Sequence, residues 1–151
     1  MATRNIVKIG DDVLRKICRS QLTFDERLHT VLDDMAETMY KAEGVGLAAP
    51  QVGILRRYCV VDIGDGEGIL ELVNPVMVEQ SGEQLGTEGC LSIPNRFAPV
   101  NRPMKVTVRA QNRFGENITV NAEGFKARAI CHEMDHLDGI LYIDKAEKEE
   151  I

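Results

Sequence analysis

Apolar positions recur along residues 28–40 at the spacing of one helical face: Leu28, Val31, Leu32, Met35, Met39 and Tyr40. Such a stripe predicts a long helix that packs on something. Thr23 with Glu26 three residues on fits a capping box at its start, and Gly44 supplies its stop. A shorter helix, Val13 to Cys18, precedes it, capped by Asp11 or Asp12. The period then changes. Tyr58 to Ile63 is a short apolar, β-branched run, and the glycine-rich stretch 64–68 is a turn. Ile69 to Val73 and Val76 to Glu79 read as strands broken by Asn74-Pro75. Lys105 to Gln111 alternates cleanly, with Val106, Val108 and Ala110 on one face. Ile118 to Val120 returns after a turn over residues 112–115. Phe125 to Leu137 is helical again, apolar through Ile130, Met134 and Leu137, and ends before Gly139. Helices at the two ends with strands between them make an α+β pattern without βαβ alternation. Residues 145–150 are charged and are expected to fray.

At 151 residues the chain is the size of one domain, taken as 1–151, and can bury a core without disulfides. Eighteen Lys+Arg against 24 Asp+Glu leave a net charge of −6 and no basic run, which argues against nucleic acid or anionic membrane as partner. No apolar stretch reaches the length of a membrane span, and the N-terminus lacks the apolar core of a signal peptide. The cytoplasm is therefore the expected compartment. Cys18, Cys59, Cys90 and Cys131 form no CxxC pair, so they are expected to be thiols. Cys18 and Cys59 read as packing residues, and His29, off the apolar stripe, as a solvated surface histidine.

The chemistry concentrates in His132-Glu133-Met134-Asp135-His136. On a helix, residues i and i+4 share a face, so both imidazoles can reach one divalent cation. Glu133 then stands beside the open coordination position, where it can take or give a proton. The bland alternative is an exposed helix with a chance HExxH. A third ligand is needed, and residues 137–151 contain no histidine; a metzincin continuation fails at Tyr142. The ligand should come from upstream. Cys90, in Glu88-Gly89-Cys90-Leu91-Ser92-Ile93-Pro94, is the best candidate, although a lone cysteine is most often a buried apolar thiol. Gly44-Val45-Gly46-Leu47-Ala48-Ala49-Pro50-Gln51 permits close backbone approach and offers the Gln51 amide to a substrate oxygen. A helix end followed by a buried strand explains that segment equally well.

In their order along the chain, GVGLAAPQ, EGCLS and HEMDH resemble the peptide deformylase family, and the likeness extends to the opening IVKIGDDVLRK and the closing HLDGILYID. The interval between Cys90 and His132 is similar to that of the compact bacterial form without an insertion. The resemblance implies antiparallel or mixed sheets around a central HExxH metal-binding helix, with a long N-terminal helix. It implies Cys90, His132 and His136 as ligands of one divalent metal ion. The resemblance implies Fe²⁺ as that ion in the cell, and the donor set also suits Zn²⁺, Ni²⁺ or Co²⁺. Glu133 is implied as general acid/base, and Gln51 with the Leu91 N–H as oxyanion donors. Gly46, Val45 and Gly89 are implied against the substrate, Val45 and Leu91 lining a methionine pocket, and Glu88 with Arg102 as a supporting pair. The reaction implied is hydrolysis of the N-formyl group from formylmethionyl nascent chains, releasing formate, near the ribosomal exit tunnel. A monomer is expected, because nothing in the sequence demands a partner surface. Cys131 stands where the family often has glutamine, and is expected to be a packed, silent thiol. Three other readings compete. A zinc endopeptidase lacks its downstream ligand here. A metal-binding domain without activity could lose Glu133 or Gln51, and this chain keeps both. A related fold acting on another formyl or acyl group shares every motif.

Overall fold

The computed structural model describes residues 2–147. Its elements are helix α1 (Glu26–Lys41), strands β1 (Gly46–Ala48), β2 (Tyr58–Val61), β3 (Leu70–Ser81), β4 (Gln84–Cys90), β5 (Ile93–Arg102), β6 (Lys105–Gln111) and β7 (Asn117–Glu123), and helix α2 (Phe125–Leu137). Short 3₁₀ turns lie at Asp12–Arg15, Ala49–Val52 and Tyr142–Asp144. Strands β1, β2, β3, β6 and β7 form one sheet in that order, and β4 pairs with β5 in a separate hairpin. Every named pairing is antiparallel.

The two helices cover opposite faces of the five-stranded sheet. Leu28, Val31, Leu32, Met35 and Met39 of α1 pack on Leu47, Tyr58, Val60 and Val73. Ile130, Cys131 and Leu137 of α2 pack on Cys59, Val61, Leu72, Val106, Val108 and Ala110. All four β2 residues are buried, because alternate residues serve alternate faces. That is why β2 reads as an unbroken apolar run and not as an alternation. A third cluster, Leu14, Ile93, Val100, Leu141 and Tyr142, seats the hairpin on the segment after α2.

Several expected boundaries move. The cap of α1 is Asp25, whose carboxylate accepts from the Leu28 N–H at 3.1 Å, and not Thr23. Its end is a Schellman turn with Glu43 in the left-handed region at φ 59. Gly44 N–H donates to Met39 O and Glu43 N–H to Tyr40 O. Gly44 is needed for another reason: a Cβ there would meet Leu91 Cδ1 at 2.7 Å. Val13 to Cys18 shortens to the 3₁₀ turn, capped by Asp11. Asn74-Pro75 bulges β3 without ending it. Asn74, at φ 52, donates to Gln21 O and Gln111 Oε1, so the chain turns locally and pairing resumes at Val76. The expected fraying fails for residues 145–147. Ala146 bridges Val100, the Glu147 N–H donates to Pro99 O, and Lys145 Nζ reaches Asp135. The rest of that stretch, 148–150, lies outside the described residues.

Candidate metal centre

Helix α2 places residues 128, 132 and 136 on one face. The β4–β5 hairpin turns through Leu91-Ser92, so that Cys90 pairs with Ile93 and its side chain meets this face. The ligating atoms of Cys90, His132 and His136 lie within 4.8 Å of one another, and Cys90 Sγ is 3.4 Å from His136 Nε2. The His132 Nδ1–H donates to Glu88 Oε1 at 2.8 Å, leaving Nε2 as the nitrogen free for the centre. The set suits a borderline-soft cation in two respects. One thiol and two imidazoles leave an open position. Burial also holds His136 well below the ordinary histidine range, in its ligating neutral form. Burial opposes charge at His132 too, but Glu133, Cys90 and Glu88 outweigh it and raise that imidazole to about 10. The spot therefore favours positive charge, which a proton or a metal cation can supply.

Glu88 is almost completely buried and accepts from four donors. Arg102 Nη2 and His132 Nδ1 bond Oε1; Arg102 Nε and Arg128 Nη1 bond Oε2. Burial works against its charge, but Arg102 and then His132 hold the carboxyl down at about 2. Arg102 also donates to Asp135 on α2 at 2.6 Å, and the Tyr142 ring stacks on His132 with centroids 6.0 Å apart.

Glu133 points the other way, toward β1. A Cβ on Gly46 would lie 2.5 Å from Glu133 Oε2, so only glycine lets this carboxylate stand against the strand. Its Oε1 is buried without a hydrogen-bond partner. Burial pushes the carboxyl up to about 7, against the pull of His132. Gln51, in the turn after β1, is 1% exposed and fixed at both ends of its amide. Oε1 accepts from Ala48 N–H at 2.9 Å, and Nε2 donates to Ser92 Oγ at 3.1 Å and faces Cys90 Sγ at 3.5 Å.

These groups open on a cavity of about 460 Å³. Its lining includes Val45, Gly46, Gln51, Gly89, Cys90, Leu91, His132 and Glu133, with Glu88 at its wall. His136 and Arg102 stand behind the lining. All the residues singled out from the sequence therefore meet in one place. Three that the sequence reading passed over join them: Ser92, Asp135 and Arg128. A charged residue one turn before His132, on the ligand face, was the legible sign of Arg128. His29 is half-buried and engaged, where a solvated surface side chain was expected: its Nε2 lies 2.9 Å from Arg113 O, and its ring meets Phe114 edge-on. Cys18, Cys59 and Cys131 are buried, and burial pushes the Cys131 thiol up to about 11, as a silent packing thiol requires.

A sequence profile described as polypeptide deformylase matches residues 3–151. The peptide deformylase of Acetivibrio thermocellus is 58% identical over 96% of this chain and 84% of its own length. Peptide deformylase 1 of Clostridium acetobutylicum is 53% identical over 99% of both chains. The crystal structure of the Thermotoga maritima peptide deformylase superposes with a TM-score of 0.95 at 41% identity, covering 98% of this chain and all of that one. With the site's geometry and these full-length likenesses together, the chain belongs to the polypeptide deformylase family, metal-dependent hydrolases that remove the formyl group from peptides.

Proposed function

We propose that this chain removes the formyl group from the N-terminal formylmethionine of nascent polypeptides, releasing formate, with the residues gathered around the cavity in the following roles. Cys90, His132 and His136 hold one divalent cation. When bound, that cation supplies Lewis-acid polarisation and makes water more acidic. Glu133 takes a proton from the attacking water and delivers it to the departing amine nitrogen. Gln51 Nε2 and the Leu91 N–H donate to the formyl oxygen as it gains negative charge. Val45 and Leu91 receive the methionine side chain, and the backbone beside Gly46 and Gly89 runs along the peptide. Glu88 and Arg102 keep His132 turned toward the cation.

The observation that carries this reading is the convergence of Glu133, Gln51, Cys90 and His132 on one cavity, with His136 grouped against Cys90 and His132. The remaining roles rest on the family and on the donor set. Fe²⁺ is the ion in the cell, and Zn²⁺, Ni²⁺ and Co²⁺ suit the same thiolate and imidazoles. The chain works as a single domain and a monomer in the cytoplasm, meeting its substrates near the ribosomal exit tunnel. No helix among the described residues is long and apolar enough to cross a membrane.

The test is formate release from a formyl-Met tripeptide by protein purified without oxygen and loaded with Fe²⁺ or Ni²⁺. Formate and a free N-terminal amine should appear from that peptide, and no free amine from its acetylated counterpart. Glu133→Ala should keep one metal per chain and lose at least about 100-fold in kcat. Robust turnover in that variant would remove Glu133 from the proton path.

A further inference from the structure

The two parts of the metal centre belong to different pieces of the fold. Cys90 sits at the tip of the hairpin, while His132 and His136 sit on α2. Arg128, one turn before His132, crosses between them. Its Nη2 donates to Gln84 O at 2.9 Å on β4. Its Nη1 faces Val100 O at 2.9 Å on β5, Gly86 O at 3.3 Å on β4, and Glu88 Oε2 at 2.6 Å. The side chain is 6% exposed, so its charge is matched inside the protein by Glu88 and these carbonyls. Space for it is made at Gly86, where a Cβ would lie 3.0 Å from Nη2 and 3.2 Å from Cζ. Arg102 also links hairpin to helix, but through carboxylates alone. Arg128 grips the backbone of both strands as well as the carboxylate that orients His132.

We propose that Arg128 is a positioning residue of the metal centre, stapling the Cys90 hairpin to α2 and thereby setting the spacing between the thiol and the two imidazoles. The inference rests on the metal-site reading given above. By occupying Glu88 Oε2, Arg128 also leaves Oε1 for His132 Nδ1. A planar guanidinium is required, because a lysine ammonium cannot reach two strands and a carboxylate at once.

The test uses the full chain loaded with Co²⁺ and reads two quantities besides activity. One is the rate of Co²⁺ loss to a chelator. The other is the near-ultraviolet thiolate-to-cobalt band. Arg128→Lys keeps the charge and loses the fork. Gly86→Ala leaves α2 and all charges untouched and sets a methyl group against the guanidinium. Both variants should unfold cooperatively, lose Co²⁺ at least about tenfold faster than wild type, and shift the band. Wild-type release rates and an unshifted band in both variants would overturn the proposal, whatever their melting temperatures. A wild-type chain that binds no Co²⁺ would overturn the metal-site reading itself.

Discussion

At Gly46 the absence of a side chain decides where Glu133 can stand, because Oε2 would be 2.5 Å from any Cβ there. The motif around Gly46 reads in sequence as room for a close backbone approach. The sequence does not show that the approaching group is a carboxylate from a helix far along the chain. Gly46→Ala is therefore expected to move Glu133 and slow formate release by about tenfold or more, a fraction of what a general acid/base contributes, with metal content unchanged. Metal analysis and kcat on the same sample check this, and full activity would mean that Glu133 tolerates the shift. Gln51 gives a similar lesson. Its type suggests a donor, but its aim comes from Ala48 N–H at one end of the amide and Ser92 Oγ at the other.

Among the elements, those with one strong apolar period were legible. Strand β6 and helix α2 fall where alternation and helical spacing place them. Helix α1 was legible in its buried stripe but not in its ends, where Asp25 and Glu43 replace the expected cap and stop. Capping depends on which side-chain oxygen reaches the free N–H groups, and neighbouring Thr23 and Asp25 both offer one. Met35 is fully buried between α1 and the sheet. Met35→Ala should cost about 2–5 kcal/mol of stability, measured by urea unfolding, while leaving kcat near wild type well below the melting temperature. Strands β4 and β5 carried no legible period in the sequence. Their residues are mostly exposed or half-buried, and Gly86, Gly89, Pro94 and Pro99 interrupt any period. The hairpin is held by Arg128, Arg102 and the cluster around Tyr142, none of which is local in sequence.

For the molecule as a whole, the segment before the first 3₁₀ turn ties separate parts together. Ala2 N–H and Arg4 Nε donate to the Asp34 carboxylate on α1, and Arg4 N–H donates to Thr38 Oγ1. Val7 N–H donates to Gln51 O, and Ile9 N–H to Ser92 O, beside the site. The Ala2 N–H and the Arg4 guanidinium hold the Asp34 carboxyl below its ordinary 3.8, against the opposing effect of burial. A carboxyl lowered in the folded state stabilises it above the unfolded value, and that stability is lost as pH falls through the folded value. Wild type should accordingly lose stability more steeply than Asp34→Asn as pH drops below 3.8. Urea midpoints at a series of pH values check this, and parallel curves would show that the tether contributes nothing.

The sequence by itself determined the helix and strand periods, the α+β class and the residue types of the centre. Each is a local property, written in spacing along the chain or in the chemistry of one side chain. Tertiary structure decided which groups face one another: Cys90 against His136, Glu133 against Gly46, Gln51 against Ser92, and Arg128 across both strands of the hairpin. It also decided that His29 is engaged and that residues 145–147 are paired. Those outcomes depend on close packing between segments distant in sequence, where a fraction of an ångström separates a hydrogen bond from a clash.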